Sequence, residues 1–165
     1  MKLRVLSILS LITLLLFASC KEKPKNGMEK YRRQPQMEMT TNDTAAVKQL
    51  VTQYLDLLKD GQLEQAVDML NILKEEKIAP LPERQRQDQL MVLKAFPVYS
   101  YQIDRYSFYK ETDSEVSYYI TVQDPAKFAE PAKMNLMIRP VRENGKWYLT
   151  LANTRGEDKA SELDN

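Results

Sequence analysis

Residues 44–61 read TAAVKQLVTQYLDLLKDG, and this stretch decides how the chain begins to fold. Its apolar residues recur at steps of three and four, which places them on one stripe of an α-helix with polar side chains opposite. The stripe consists of Val47, Leu50, Val51, Tyr54, Leu55 and Leu58. Side-chain oxygens in residues 41–44 are suited to cap the helix start, and Gly61 supplies the left-handed conformation that ends it. The sequence therefore predicts a long first helix.

Two more helices are predicted after Gly61. The second is short, and its apolar face consists of Leu63, Ala66, Val67 and Leu70. Because only a tight turn separates it from the first helix, we expect the two to pack as a pair. The third runs from Pro82, a residue favoured in a first helical turn, to about Phe96, and Pro97 ends it. Its second half is expected to bury Leu90, Leu93 and Phe96.

After Pro97 the apolar period changes from about four to two, which is typical of β-strands. In residues 98–109 the alternation changes parity, which predicts a β-bulge near Asp104. In residues 116–123 apolar and polar positions alternate regularly, and residues 134–141 form a third strand. Asn144-Gly145 is a strong hairpin signal before a last strand that contains Trp147. Three helices followed by about four antiparallel strands predict an α+β domain over residues 44–153.

Three segments of this domain resemble a known family. They are the helix end Leu58-Lys59-Asp60-Gly61, the helix start Leu63-Glu64-Gln65-Ala66 and the hairpin Asn144-Gly145-Lys146-Trp147-Tyr148-Leu149. With the tyrosine-rich strands between them, they resemble the nuclear transport factor 2-like fold, a cone-shaped cystatin-like α+β domain that also occurs in small bacterial lipoproteins of unknown function. The resemblance implies three N-terminal helices packed on a curved antiparallel sheet. Members include steroid isomerases, dehydratases, scaffolds and binding modules, so the fold alone selects no function.

Upstream of the domain, residues 1–20 read MKLRVLSILSLITLLLFASC. A basic start, an apolar run and small residues before Cys20 form the pattern of a secretory signal. The ending resembles the bacterial lipobox. That resemblance implies a signal peptide at residues 1–19 and lipidation of Cys20 by a thioether-linked diacylglycerol, with a further acyl chain such as palmitate on its amine. The alternative is an ordinary cleaved signal that happens to contain a cysteine.

Residues 20–43 are rich in proline, amide and charged residues and show no apolar period, so they are predicted to form a flexible membrane tether. Lys21 stands where the inner-membrane retention signal of enterobacterial lipoproteins has Asp. We therefore expect a lipid-anchored protein of the bacterial cell envelope, at the outer membrane, whose first partner is the membrane itself. Residues 154–165 are predicted to be a polar tail.

The composition excludes several chemistries. The chain has no histidine and its one cysteine is Cys20, which removes serine and cysteine triads that need histidine and metal sites built on histidine. Its four glycines show no phosphate-loop spacing. A net charge of +1 gives no reason to expect nucleic-acid binding. We predict no catalytic residue, no metal site and no cofactor.

Tyrosine is the remaining feature, with nine in the chain. Tyrosines favour half-buried strands and supply core area, so the simplest interpretation is structural. The sharper interpretation is a pocket between helices and sheet, with hydroxyl groups directed at a ligand. The candidate pocket residues are Tyr54, Tyr101, Asp104 and Tyr118.

Two functions follow from these residues. The preferred hypothesis is a non-enzymatic envelope lipoprotein that binds a partner protein or a small apolar ligand. The alternative is an isomerase or dehydratase of the ketosteroid-isomerase type, in which Tyr54 polarises a carbonyl and Asp104 carries the proton. A carboxylate facing a closed cavity beside Tyr54 would favour the enzyme.

Overall fold

The first helix begins earlier than the sequence indicated. In the computed structural model, which describes residues 35–151, helix α1 spans Thr41–Lys59 and Thr40 is its N-cap. The Thr40 hydroxyl accepts a hydrogen bond from the Asp43 amide at 3.1 Å, and the Asp43 carboxylate accepts one from the Thr40 amide at 3.1 Å. This reciprocal capping box starts the helix inside the segment assigned to the tether. Upstream, the Gln36 amide donates to the Tyr109 carbonyl at 2.6 Å.

The remaining elements follow in the order helix, hairpin, helix and four strands. They are α2 (Leu63–Asp68), β1 (Leu70–Lys74), β2 (Lys77–Pro80), α3 (Glu83–Ala95), β3 (Ser100–Lys110), β4 (Asp113–Thr121), β5 (Lys133–Glu143) and β6 (Lys146–Thr150). The prediction of an α+β domain with three helices is confirmed. The signal peptide, Cys20, most of the tether and the polar tail lie outside the described residues.

The sheet differs from the prediction in strand number and direction. It has six strands in the order β2-β1-β6-β5-β4-β3, so the expected count of about four is wrong. It is also mixed rather than antiparallel, because β1 runs parallel to β6 through Leu70 and Asn71. Leu70, assigned to the second helix, begins β1 instead. The two strands that the sequence did not predict, β1 and β2, form a hairpin. Its turn residues Glu75 and Glu76 have φ of 49° and 63°. That turn contains no glycine, so the usual sequence signal is absent.

Other local predictions are confirmed. The β3–β4 register shifts between Ile103 and Arg105, which puts the bulge at Asp104. Asn144 and Gly145 have φ of 51° and 78° at the last hairpin, and Gly61 has φ of 72° after α1. In each case a residue that tolerates positive φ stands where the chain must reverse or end a helix.

The core lies between α1 and one face of the sheet. The apolar stripe of α1 is buried against inward-facing strand residues, chiefly Val116, Tyr118, Ile120, Ile138 and Leu149. Helix α3 packs chiefly on α2 and buries Leu90. The predicted burial of Phe96 is wrong, because its side chain is 44% exposed. No helix within residues 35–151 combines the length and apolar character needed to cross a bilayer.

A buried carboxylate joins the start of α1 to the last hairpin. Asp43 Oδ1 accepts a hydrogen bond from Trp147 Nε1 at 3.1 Å and lies 3.6 Å from Arg142 Nη2. Hydrogen bonds from the Thr40 side chain, from Trp147 and from the Thr40 amide, aided by the charge of Arg142, lower the pKa of Asp43 to about 2. Asp43 is therefore ionised in the folded domain and ties two distant segments together.

Candidate functional site

A cavity of about 460 Å³ opens between α1, α3 and the inward face of the sheet. Helix α1 contributes Tyr54 and Leu58, and the strands contribute Tyr118 and Ile120 among others. Its volume falls in the range of pockets that hold small organic ligands. Every second side chain of β4 points inward and meets the apolar stripe of α1 at this cavity. The lining residues of both elements therefore follow from the period of two in the strand and of 3.6 in the helix.

Two tyrosines meet in this cavity. Tyr54 and Tyr118 are both buried, and their hydroxyl groups lie close enough to each other to interact. Burial raises the pKa of Tyr54 far above its ordinary value and that of Tyr118 to about 12. Both are therefore neutral phenols at any physiological pH. Each hydroxyl carries one hydrogen, so the pair keeps a donor for a ligand oxygen even when one hydroxyl donates to the other.

Much of the cavity wall is apolar. Inward-facing side chains of β4 and β5 form them together with side chains from α1 and α3, namely Leu58, Leu93, Ile120, Leu136 and Ile138. A hydrocarbon ligand surface would replace water against these walls, which is favourable in proportion to the area covered.

Polar side chains line the cavity from α3. Gln85, Asp88 and Gln89 lie three and four residues apart, so they share one side of the helix, and Val92 continues that side. Asp88 supplies the carboxylate among the described lining residues, but its side chain is exposed at the rim. The cavity therefore has a carboxylate beside an opening rather than one enclosed with Tyr54.

The other two predicted pocket residues lie elsewhere. The Tyr101 hydroxyl donates to Asp56 Oδ1 at 2.6 Å, and this bond, with some desolvation, raises the pKa of Tyr101 to about 12. Tyr101 lines a separate depression of about 250 Å³. Asp104 Oδ2 accepts a hydrogen bond from Ser117 Oγ at 2.9 Å. Because Ser117 and Tyr118 are neighbours in β4 and point to opposite faces, Asp104 lies across the sheet from the tyrosine pair.

Sequence reasoning missed the α3 side of the cavity. Residues 83–89 are all charged or amide residues, which by itself indicates a solvated helix face. The sequence signal was that some of these residues share a helix face with Val92 and Leu93. Such spacing predicts which residues share a face, but it does not predict which part of the protein that face contacts. Within residues 35–151, no three Asp, Glu, His or Cys side chains come together as a metal ion would require.

No family model matches the chain, and no curated protein is similar to it. A cystatin-like protein of unknown function from Nostoc punctiforme PCC 73102 is 21% identical with a TM-score of 0.43, covering 68% of this chain and 90% of its own. A nuclear transport factor 2-like protein of unknown function from Shewanella oneidensis MR-1 is 11% identical with a TM-score of 0.41, covering 64% and 93%. A de novo designed protein of the nuclear transport factor 2 fold is 14% identical with a TM-score of 0.35, covering 77% and 97%. The solved structures that this chain is similar to are thus of the nuclear transport factor 2-like and cystatin-like kind that its sequence resembles.

Proposed function

We propose that this protein is a lipid-anchored lipoprotein of the bacterial envelope whose domain binds a small, largely apolar ligand between α1, α3 and the sheet. The observation that carries the ligand-binding part is the cavity of about 460 Å³ that is lined by the buried Tyr54 and Tyr118 side chains. The anchor rests on the export signal and on the position of Cys20 in the sequence.

The lining supports a ligand with a hydrocarbon body and an acceptor oxygen. The apolar walls reward burial of hydrocarbon, and the neutral tyrosine pair offers a hydrogen-bond donor that keeps its proton at physiological pH. Apolar cavities with a few convergent polar groups are the usual form of small-molecule sites.

The isomerase alternative is not favoured. Its proposed base, Asp104, lies on the opposite face of the sheet from Tyr118. The carboxylate that lines the cavity, Asp88, is exposed at the rim and is not buried beside Tyr54. Proton transfer to a bound substrate needs the acid or base within hydrogen-bond reach of the reacting carbon, directly or through one water.

Binding of Nile red, a neutral apolar dye with a carbonyl oxygen, tests the site. The mature chain carrying Cys20→Ala is used, because it needs no detergent. We expect Tyr118→Phe to weaken binding roughly two- to tenfold through loss of one hydrogen bond. We expect Leu136→Trp to abolish binding by filling the cavity. The measurement is a fluorescence titration.

Tyr119→Phe is the matched control, since Tyr119 is the next residue in β4 and points to the other face. Its affinity should equal that of the parent. Equal binding by the parent and by Leu136→Trp would show that the dye lies outside the cavity, and no binding by the parent would contradict the proposed site.

A further inference from the structure

The second half of α3 carries an exposed apolar strip beside the cavity. We call Met91, Val92 and Phe96 the α3 strip; these side chains are 68%, 52% and 44% exposed. Val92 also lines the cavity. The strip therefore adjoins the α3 side of the cavity.

The exposed side chains of the α3 strip are not needed for the contacts that α3 makes within the domain. One side of the helix packs on α2, where Leu90 is buried and ion pairs join Arg86 to Asp68 and Lys94 to Glu64. Another side, with Val92, faces the cavity. Met91 lies between these two sides, since each residue advances about 100° around a helix. Nothing within the described residues covers it.

We propose that the α3 strip rests on the lipid surface to which the chain is anchored, so that the cavity opens next to the bilayer. This inference rests on the anchoring part of the proposed function and names what the exposed helix face contacts. It also implies the ligand class, an amphiphile that enters the cavity from the membrane rather than from bulk water.

The length of chain before the domain allows this contact. Fifteen residue steps separate Cys20 from Pro35, the first described residue. Extended chain covers at most ~3.3–3.6 Å per residue, which gives a reach of about 50 Å. A domain of this length has a radius of gyration of roughly 13 Å. Every face of the domain can therefore reach the lipid, and a face with clustered exposed hydrocarbon, such as the α3 strip, gains free energy from doing so.

Charge on α3 fits a bilayer interface. Arg84 is seven residues before Met91 and so lies on the same side of the helix. Lys94 lies on the side that faces α2, where it is paired with Glu64, and Asp88 lies nearer to Val92. Basic side chains beside exposed apolar ones are typical of helices that lie in the interface of membranes with anionic lipids.

A second copy of the chain fits the strip less well. Stable protein interfaces bury about 1,200–2,000 Å² in total, and the strip offers three apolar side chains. A lipid contact needs no such area, because the acyl anchor already holds the domain at high effective concentration beside the bilayer.

The full acylated chain in vesicles tests the inference. Cys20 is the only cysteine and is blocked by acylation, so Met91→Cys provides a single thiol for a bimane label. The vesicles contain phosphatidylethanolamine and phosphatidylglycerol with a doxyl-labelled lipid as quencher. Gln49→Cys is the control, because Gln49 is exposed on α1 about 140° around the helix from Tyr54. We expect bimane at position 91 to be quenched several-fold more than at position 49.

Adding Val92→Asp to the Met91→Cys chain should reduce that quenching to the level of the control. Near-ultraviolet circular dichroism checks that the variant keeps its fold. Equal quenching at positions 91 and 49 in chains that float with vesicles would overturn the contact and leave the anchor standing. A blue-shifted but unquenched label would identify a second copy as the occupant and also overturn it. Chains that do not float would refute the anchor and the contact together.

Discussion

At the scale of single residues, Asp43 shows how one side chain connects segments far apart in sequence. It caps α1 together with Thr40 and also receives the indole N–H of Trp147. A solvated tether residue would do neither. Its carboxylate is held ionised by hydrogen bonds, so its contribution to stability depends on pH.

Asp43→Asn should lower stability at neutral pH and flatten its acid dependence. The pKa of Asp43 in the fold, about 2, lies below its ordinary value of 3.8, so folding favours the ionised form. That stabilisation is present above pH 3.8 and is lost as the pH falls toward 2. Urea midpoints between pH 2 and 7 measure it, and the gap between parent and variant should close at the acid end.

Asp60→Asn serves as the control, because Asp60 is an exposed residue at the end of α1. Its midpoints should follow the parent at each pH. If Asp43→Asn kept the same acid dependence as the parent, the carboxylate would not be the group that couples folding to pH.

Residue-scale predictions from sequence succeeded where the signal is local. Gly61, Asn144-Gly145 and the bulge at Asp104 were all predicted, since each depends on backbone conformation or parity within a few residues. The cap was placed up to four residues late. Residues 41–44 all carry side-chain oxygens that could cap the helix, so the sequence did not distinguish among them. The N-cap residue in the structure is Thr40, which precedes all four.

At the scale of elements, the β1–β2 hairpin was not predicted because its turn residues are not of the types that usually indicate a hairpin turn. Glu75 and Glu76 both adopt positive φ, a conformation usually reserved for asparagine and glycine in such turns. Short strands of mixed burial between them and the helices gave no clear alternation. No strand was predicted from the sequence between the second and third helices, while the chain forms two strands of the sheet there.

Replacing this turn by Glu75→Asn with Glu76→Gly should stabilise the domain. Each L-residue with a β-carbon costs about 1–2 kcal/mol in the left-handed region, and the replacement relieves part of that cost, which we expect to be worth about 1 kcal/mol. Thermal unfolding measures it. The same pair of changes at Lys48 and Gln49, which are exposed in the interior of α1, should destabilise, since glycine weakens a helix interior by roughly 1 kcal/mol. A turn variant no more stable than the parent would argue against positive φ at both glutamates.

At the scale of the whole molecule, the cavity needs parts that are not neighbours in sequence. Tyr54 and Tyr118 were predicted as pocket residues because each sits on an apolar stripe. Gln85, Asp88 and Gln89 were not, since the position of α3 follows from its packing on α2 and not from its own pattern. Tyr101 was misplaced relative to this cavity, because Asp56 holds its hydroxyl elsewhere.

The anchor is also a property of the whole molecule. Cys20→Ala should release the chain from the membrane fraction, because two or three acyl chains hold a protein on a bilayer and the described domain has no membrane-spanning helix. Fractionation of cells followed by blotting measures this, and Lys23→Ala should remain membrane-bound. A Cys20→Ala chain that still sediments with membranes would refute the anchor.

The parallel pairing of β1 with β6 affects the order in which this domain is able to fold. The β1–β2 hairpin joins the rest of the sheet only through β6, whose Leu149 carbonyl accepts from Asn71 Nδ2 at 3.3 Å across 78 residues. Pairings of such long range close late and slow folding. During synthesis the early hairpin must wait for the last described strand, so the nascent chain stays incompletely folded until translation of the domain is nearly finished.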